Sequence, residues 1–314
     1  MPGRVTVIIA AYNAEAFIRR AIESALAQTC APDVIIVDDA STDGTAAHVR
    51  ELIAGVPQAK LIVQYKNQGP AAARNRAIAA AATEWVTPLD ADDAMDNDRL
   101  KTLVDLAEQR GWDAVADDQY RVTSWEAGAD RRRLWSDDDF GILELTLARF
   151  VRENIMAYTG FGRELGFIKP LMRRAFLVDH GLGYDRRMRL GEDYDLYCRL
   201  LARGGRFGLV DPRGYIAFET PGSLSKQHSS AVLRAFMQSD QRLLSSKAIS
   251  DDARVFLKEH RTLLHKKWAW AHLSEAYRER NPMKALSSFI APPEVLADLS
   301  GRLVEKTRAR LSRA

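Results

Sequence analysis

The sequence predicts an α/β protein in which a mostly parallel sheet is flanked by helices and followed by a helical C-terminal extension. Three observations carry this. β-branched apolar runs alternate with amphipathic stretches through residues 1–118, the run Val34-Ile35-Ile36-Val37 is apolar at every position, and nearly everything beyond Ser229 has helical periodicity. Strands apolar on both faces belong to a parallel sheet covered on both sides.

In chain order, residues 5–10 (VTVIIA) form the first strand. Phe17, Ile18, Ala21, Ile22, Ala25 and Leu26 then recur on one helical face. Val34 to Val37 is the second strand, and the cap-rich run Ser41-Thr42-Asp43-Gly44-Thr45 opens a helix, with Asp43 placed to cap it. Leu61 to Val63 is the third strand and residues 70–82 an alanine-rich helix. Trp85 to Leu89 is the fourth strand, in which Pro88 predicts an edge or strand-end position. A helix near 97–110 and a strand at 113–116 complete the series. Short strands and helices mix between 119 and 225, the clearest being a helix from Tyr194 to Ala202. The expected organisation is one domain over 1–228, with halves 1–118 and 119–228, and a helical extension over 229–314.

Composition narrows the function classes. Hydrophobic residues make up 46% and charged residues 28%, which is globular rather than disordered. A net charge of +3 gives no argument for nucleic acid. Two cysteines, Cys30 and Cys198, frame neither a disulfide scaffold nor a four-cysteine zinc site, so a reducing compartment is the simpler reading. The first apolar run is interrupted at Tyr12-Asn13, too early for a signal-peptide core, and no run approaches the ~18 residues of a spanning helix. A cytoplasmic protein is expected. Residues 251–314 carry 13 basic and 8 acidic side chains, net +5, against net −2 for the rest.

In open α/β sheets ligands bind beyond the carboxyl ends of the strands. Here those ends carry Tyr12-Asn13, Asp38-Asp39 and Asp90-Ala91-Asp92-Asp93. Clustered carboxylates repel one another and need a positive group among them. A divalent cation holding a polyphosphate fits, because Mg²⁺ uses one or two carboxylates plus substrate phosphates. The plainer alternative at each strand end is a turn or helix cap. Arg74 and Arg76 follow on the alanine-rich helix; Arg74 suits a phosphate or an aspartate, Arg76 a solvated face.

The runs VTVIIAAYN, VIIVDDASTDGT, NQGPAAARN and WVTPLDADD come in the order and spacing of family 2 glycosyltransferases, which the chain resembles closely over residues 4–100 and more loosely to 220. The resemblance implies a GT-A fold with a mixed, mostly parallel sheet. It implies an inverting enzyme using a nucleotide-diphosphate sugar, most often a UDP-sugar, and Mg²⁺ or Mn²⁺. Carried over residue by residue, Ala10, Tyr12 and Asn13 would line the nucleotide, with Tyr12 against the base. Asp39 would accept a hydrogen bond from the base, and Arg74 would lie near base and phosphates. Within Asp90-Ala91-Asp92, Asp92 would bind the metal and Asp90 would lie nearer the ribose, with Asp93 a cap or a supporting residue.

Glu192-Asp193 is similar to the family's Glu-Asp element opening a helix. Free N–H groups and the helix dipole hold a carboxylate there, so Asp193 is the expected base and Glu192 its support or an acceptor contact. A cap alone is the competing role. Ser223, Ser225 and Lys226 would meet the diphosphate and His228 would be a further metal ligand or leaving-group contact. A Gln-x-x-Arg-Trp element is absent, which argues against processive synthesis.

Three other classes fit less well. A nicotinamide dehydrogenase needs Gly-x-Gly-x-x-Gly after the first strand, where this chain reads Ala10-Ala11-Tyr12-Asn13-Ala14. A sugar-phosphate nucleotidyltransferase would carry a Gly-rich loop there. A phospho-acceptor signalling domain leaves the Glu192-Asp193 helix without a role. The expected partners are a nucleotide-sugar donor and a glycan or lipid-linked glycan acceptor, with no nucleic acid. The basic C-terminal helices, which include Lys266-Lys267-Trp268-Ala269-Trp270, fit either a peripheral contact at the anionic inner membrane face or packing in a homo-oligomer. Asp117-Asp118 at a strand end are expected to border the acceptor, and the 131–139 charges to pair on a solvated surface.

Overall fold

A computed structural model describes residues 4–126, 129–158, 164–219 and 229–311. The chain forms two compact units, Met1–Pro221 and Gly222–Ala314. The division lies a few residues before the expected 228/229 boundary; residues 220–228, with Ser223, Ser225, Lys226 and His228, lie outside the described residues.

The strands of the first unit are β1 (Val5–Ala11), β2 (Asp33–Asp38), β3 (Ala59–Val63), β4 (Trp85–Asp90), β5 (Ala94–Met95), β6 (Ala114–Asp117), β7 (Tyr120–Val122), β8 (Arg132–Arg133), β9 (Ile142–Leu145), β10 (Leu171–Arg173), β11 (Phe207–Val210) and β12 (Tyr215–Phe218). Its α-helices are α1 (Ile18–Leu26), α2 (Thr45–Leu52), α3 (Pro70–Ala80), α4 (Arg99–Arg110), α5 (Leu147–Tyr158), α6 (Arg174–Asp179) and α7 (Glu192–Ala202). The main sheet has the order β3-β2-β1-β4-β10-β6-β11-β9, and a smaller one the order β5-β12-β7-β8. β3, β2, β1 and β4 run parallel, while β10 is antiparallel to both its neighbours, so the sheet is mixed as expected.

Val7, Ile8, Ile9, Ile36 and Val37 are fully buried between the helical layers. Burying each such side chain stabilises the fold by about 1.5–3 kcal/mol. Pro88 departs from expectation: β4 is central, and Pro88 pairs with Ile8 of β1. The other neighbour, β10, pairs only with Trp85 and Val86. Pro88 therefore lies beyond that ladder, where a missing N–H removes no hydrogen bond to β10.

Local sequence sets the placement of the functional elements. Register puts Ala10 opposite both Val37 and Asp90, and Ala11 opposite Asp38, so three strand ends share one rim. Gly69, at φ 88°, turns the chain into α3, whose first position is Pro70. Buried Ala71, Ala72 and Ala73 give that helix a slim face, and it packs on β1 and β2. Gly191, at φ 80° and ψ 13°, makes a left-handed turn into α7.

The second unit consists of α8 (Ser230–Leu244), α9 (Asp251–Arg278), α10 (Pro282–Ser287) and α11 (Pro293–Leu311). The Ser229 and Ser250 hydroxyls cap α8 and α9 by accepting from the N–H groups of Val232 and Ala253. Trp268 is buried, and Trp270 lies beneath the Lys306 ammonium, 5.0 Å from its ring centre. No described helix is long and apolar enough to cross a membrane.

Candidate active site

The rim beyond β1, β2 and β4 gathers the residues singled out in the sequence, but it holds them in two different ways. At the β1–β2 side, Tyr12 is 49% exposed and open to a ligand. Asn13 takes a left-handed backbone, φ 50°, which asparagine tolerates. Its side-chain oxygen accepts from the Thr42 N–H at 2.9 Å, and its own N–H donates to Ser41 Oγ at 2.9 Å. Asn13 thus shapes the rim. Asp43 Oδ1 accepts from the Thr45 N–H at 3.0 Å, a local turn bond just ahead of α2, whose N-cap position is taken by Gly44 rather than by Asp43. Asp39 is buried and accepts three hydrogen bonds: Oδ1 from Gln64 Nε2 (2.6 Å) and the Gln68 N–H (2.9 Å), Oδ2 from the Gly69 N–H (2.6 Å). It fixes the loop leading into α3.

At the β4 side the carboxylates meet cations. Arg74, 7% exposed, donates from Nη1 to Glu192 Oε1 at 2.6 Å and from Nη2 to Asp90 Oδ1 at 2.7 Å. The Arg74 guanidinium also faces the Tyr184 ring at 5.4 Å. Lys169 donates from Nζ to Asp193 Oδ2 at 2.7 Å and lies 3.0 Å from Asp90 Oδ2. The three carboxylates Asp90, Glu192 and Asp193 thus share two cations, Arg74 and Lys169. Asp193 Oδ1 is buried and accepts no hydrogen bond; it is 3.7 Å from Arg74 Nη1.

The electrostatics follow from this packing. Burial opposes ionisation of Asp90, but the charges of Lys169 and Arg74 outweigh it and hold its carboxyl well below the usual range. Burial likewise opposes the charge of Lys169, and Asp193 and Asp90 override it, so the ammonium is held charged. Burial pushes the Glu192 carboxyl up, with Arg74 pulling against it. Asp92 is pushed up by burial and by the negative charge of Asp90.

The Asp92 side chain makes no hydrogen bond or ion pair with another described residue, though its own backbone N–H and the Lys169 charge favour its ionised form. Among the described residues no group of three or more His, Cys, Asp or Glu is arranged to hold a metal on its own. A part-buried, unpaired carboxylate with a raised pKa suits one ligand position on a hard cation whose other positions are phosphate oxygens and water. Asp93 has a different task. Its Oδ2 accepts from Tyr215 Oη at 2.7 Å and its Oδ1 from the Phe218 N–H at 2.9 Å, tying the Asp90–Asp93 turn to β12.

Of the two roles open to Arg74 in the sequence, a phosphate or an aspartate, the structure shows the carboxylate one, with Asp90 and Glu192 as partners. Asp117 and Asp118 are both buried. Asp117 is buried against Arg99 at 2.7 Å, and Asp118 accepts from the N–H groups of Trp135 and Ser136. Lys169 was not among the residues picked out. The available signal is a lone cation in the otherwise apolar run Gly166-Phe167-Ile168-Lys169-Pro170-Leu171-Met172, which must be paired if buried.

Known proteins share this arrangement of sequence and fold. The glycosyl transferase family 2 model matches residues 6–176. The chain is 36% identical over 309 residues to the succinoglycan biosynthesis protein ExoU of Rhizobium meliloti (strain 1021), covering 98% of this chain and 89% of that protein. It is 33% identical over 313 residues to ExoO, a succinoglycan biosynthesis protein of the same strain, covering 98% and 87%. Its structure is similar to that of S. aureus TarS 1–349 in complex with UDP, with a TM-score of 0.69, 19% identity and coverage of 98% of this chain and 91% of that one. The fold is GT-A, and the chain belongs to glycosyl transferase family 2.

Proposed function

We propose that this glycosyltransferase is inverting and non-processive, and that it moves a sugar from a UDP-sugar to a hydroxyl of a carbohydrate or lipid-linked glycan. The names of ExoU and ExoO favour a role in assembling a bacterial exopolysaccharide. The observation that carries the mechanism is Asp193 at the start of α7, with Oδ2 held by Lys169 and Oδ1 free of hydrogen bonds.

In this reading Tyr12 packs on the nucleobase. Asp39 keeps one of its roughly four lone-pair sites for a base N–H, three being used by the protein. Asp193 Oδ1 takes the proton of the acceptor hydroxyl. The acceptor oxygen attacks the anomeric carbon from the face opposite the diphosphate, whose bond breaks and carries away the electron pair, inverting the centre. Mg²⁺ or Mn²⁺ held by Asp92 and the donor phosphates would neutralise the leaving diphosphate as a Lewis acid. Glu192, fixed by Arg74, lines the acceptor side.

The test is a panel of sugar nucleotides with Mn²⁺, following release of nucleoside diphosphate. Turnover of one or a few UDP-sugars is expected, abolished by EDTA and by Asp92→Asn. Undiminished turnover of Asp92→Asn in EDTA would remove the metal from the mechanism. Release from GDP-sugars alone would replace the donor class.

A further inference from the structure

Lys169 lies just before β10, and its backbone is gripped from several sides. Three successive carbonyls accept from buried side chains of α4, α7 and the loop between β6 and β7. Phe167 O accepts from Gln119 Nε2 at 2.9 Å, Ile168 O from Tyr197 Oη at 3.0 Å, and Lys169 O from Arg99 Nη2 at 2.6 Å. Gln119, Tyr197 and Arg99 are at most 3% exposed. Arg99 is in turn held by Asp117, whose other oxygen accepts from the N–H groups of Arg213 and Tyr215. Lysine is flexible, with about 2 kcal/mol of rotamer entropy. Here the backbone is fixed and the ammonium touches two carboxylates at once, so that freedom is gone.

The bridge has a geometric consequence. Asp90 belongs to the Asp-x-Asp turn, and Asp193 comes from α7. The Lys169 ammonium joins them, at 3.0 Å and 2.7 Å. A carboxylate rotates about its last bond unless one oxygen is anchored. With Oδ2 anchored, Oδ1 has a defined direction, and proton transfer needs that direction to be right.

We infer that Lys169 is a positioning residue for the transfer, anchoring Oδ2 of Asp193 and so fixing the orientation of that carboxylate beside the Asp90–Asp92 turn. This rests on the reading of Asp193 as the base. A substitution here should slow turnover without weakening the nucleotide, and its effect should vanish once Asp193 is no longer a base.

The experiment uses the full chain with Lys169→Met, Lys169→Arg, Asp193→Asn and both double variants. Thermal unfolding needs no substrate. Asp193→Asn is expected to cost less in the Lys169→Met background than in the wild type, because the bridge is already gone; additive shifts would overturn the bridge. Kinetics use the UDP-sugar that the wild type hydrolyses fastest. Lys169→Met should lower kcat at least about tenfold, a fraction of what general base catalysis supplies. UDP affinity with Mn²⁺ should stay within about twofold, and Lys169→Arg should recover part of the rate. The Lys169→Met/Asp193→Asn variant should be no slower than Asp193→Asn alone. Multiplying rate losses, or UDP affinity falling in step with rate, would overturn the proposal. Should Lys169→Met fail to fold, the Lys169→Arg/Asp193→Asn cycle decides the same question. Absence of turnover by the wild type would count against the function reading, while the unfolding cycle still decides the bridge.

Discussion

The carboxylate just after β2 is held by uncharged donors, whereas those at the end of β4 and the start of α7 are held by cations. Asp39 spends its charge on one side-chain amide and two backbone N–H groups. Asp90, Glu192 and Asp193 share Arg74 and Lys169. Neutral donors freeze a loop and leave the carboxylate's net charge in place. Cations offset most of that charge. The same residue type thus builds a rigid shelf on one side and a buried ion cluster on the other.

The largest expected effect tests the charged side at its reactive end. Asp193→Asn should lower kcat by about 10² or more, the scale of a lost general base, with UDP affinity measured by calorimetry nearly unchanged. If affinity falls with rate, Asp193 is a helix cap and the contrast between the two sides dissolves. Next comes the cation that unites them. Arg74→Met leaves Asp90 and Glu192 short of a buried partner, a change that costs about 3–5 kcal/mol. Thermal unfolding should show it as a drop on the order of 10 °C; a shift within experimental scatter would mean that the cluster is solvated and contributes little.

A smaller effect belongs to the neutral side. Asp39→Asn keeps the shape but weakens charge-assisted bonds to the 64–69 loop. It should reduce UDP affinity about tenfold, within the range of hydrogen bonds to charged groups, and leave kcat at saturating donor little altered. A kcat loss as large as that of Asp193→Asn would erase the distinction. The smallest effect lies in the helical unit. Burial, then the charges of Lys284 and Arg234, hold the His272 pKa below its ordinary value. Burial and Arg261 do the same to His265. A depressed imidazole contributes stability above about pH 6.5, and that contribution is lost as pH falls through the folded value. Unfolding of the helical unit, followed by tryptophan fluorescence, should therefore move to lower temperature on acidification below that range, and His272→Gln should flatten the slope.

Much of this was legible in the sequence because it is written locally. Strand runs with no polar position mark a sheet covered on both faces, and the Asp-rich ends of those runs mark the rim. Glu192-Asp193 announces itself by opening a helix after Gly191. Pro88 misled because edge position was inferred from one residue, while the unpaired stretch it needs comes from the shortness of β10, over 80 residues away. Lys169 was invisible for a related reason. It is one of 45 basic residues, and its role comes from carbonyls clamped by Gln119, Tyr197 and Arg99, none adjacent in sequence. The aspartate partner of Arg74 lies nearby in sequence and was legible, whereas its second partner, Glu192, lies 118 residues further on.

The shared ion cluster also bears on modularity. Arg74 and Asp90 come from the nucleotide-side half of the catalytic unit, Lys169, Glu192 and Asp193 from the half that follows. The second half brings two carboxylates and one ammonium, so Glu192 finds its cation, Arg74, only in the first half. A nucleotide-side fragment expressed alone would expose or strand a guanidinium made for burial, and the second half would carry a carboxylate pair short of its arginine. The active centre is thus also the seam that makes the two halves one folding unit, so new donor or acceptor preferences are more readily gained by changing the surrounding loops than by exchanging halves between relatives.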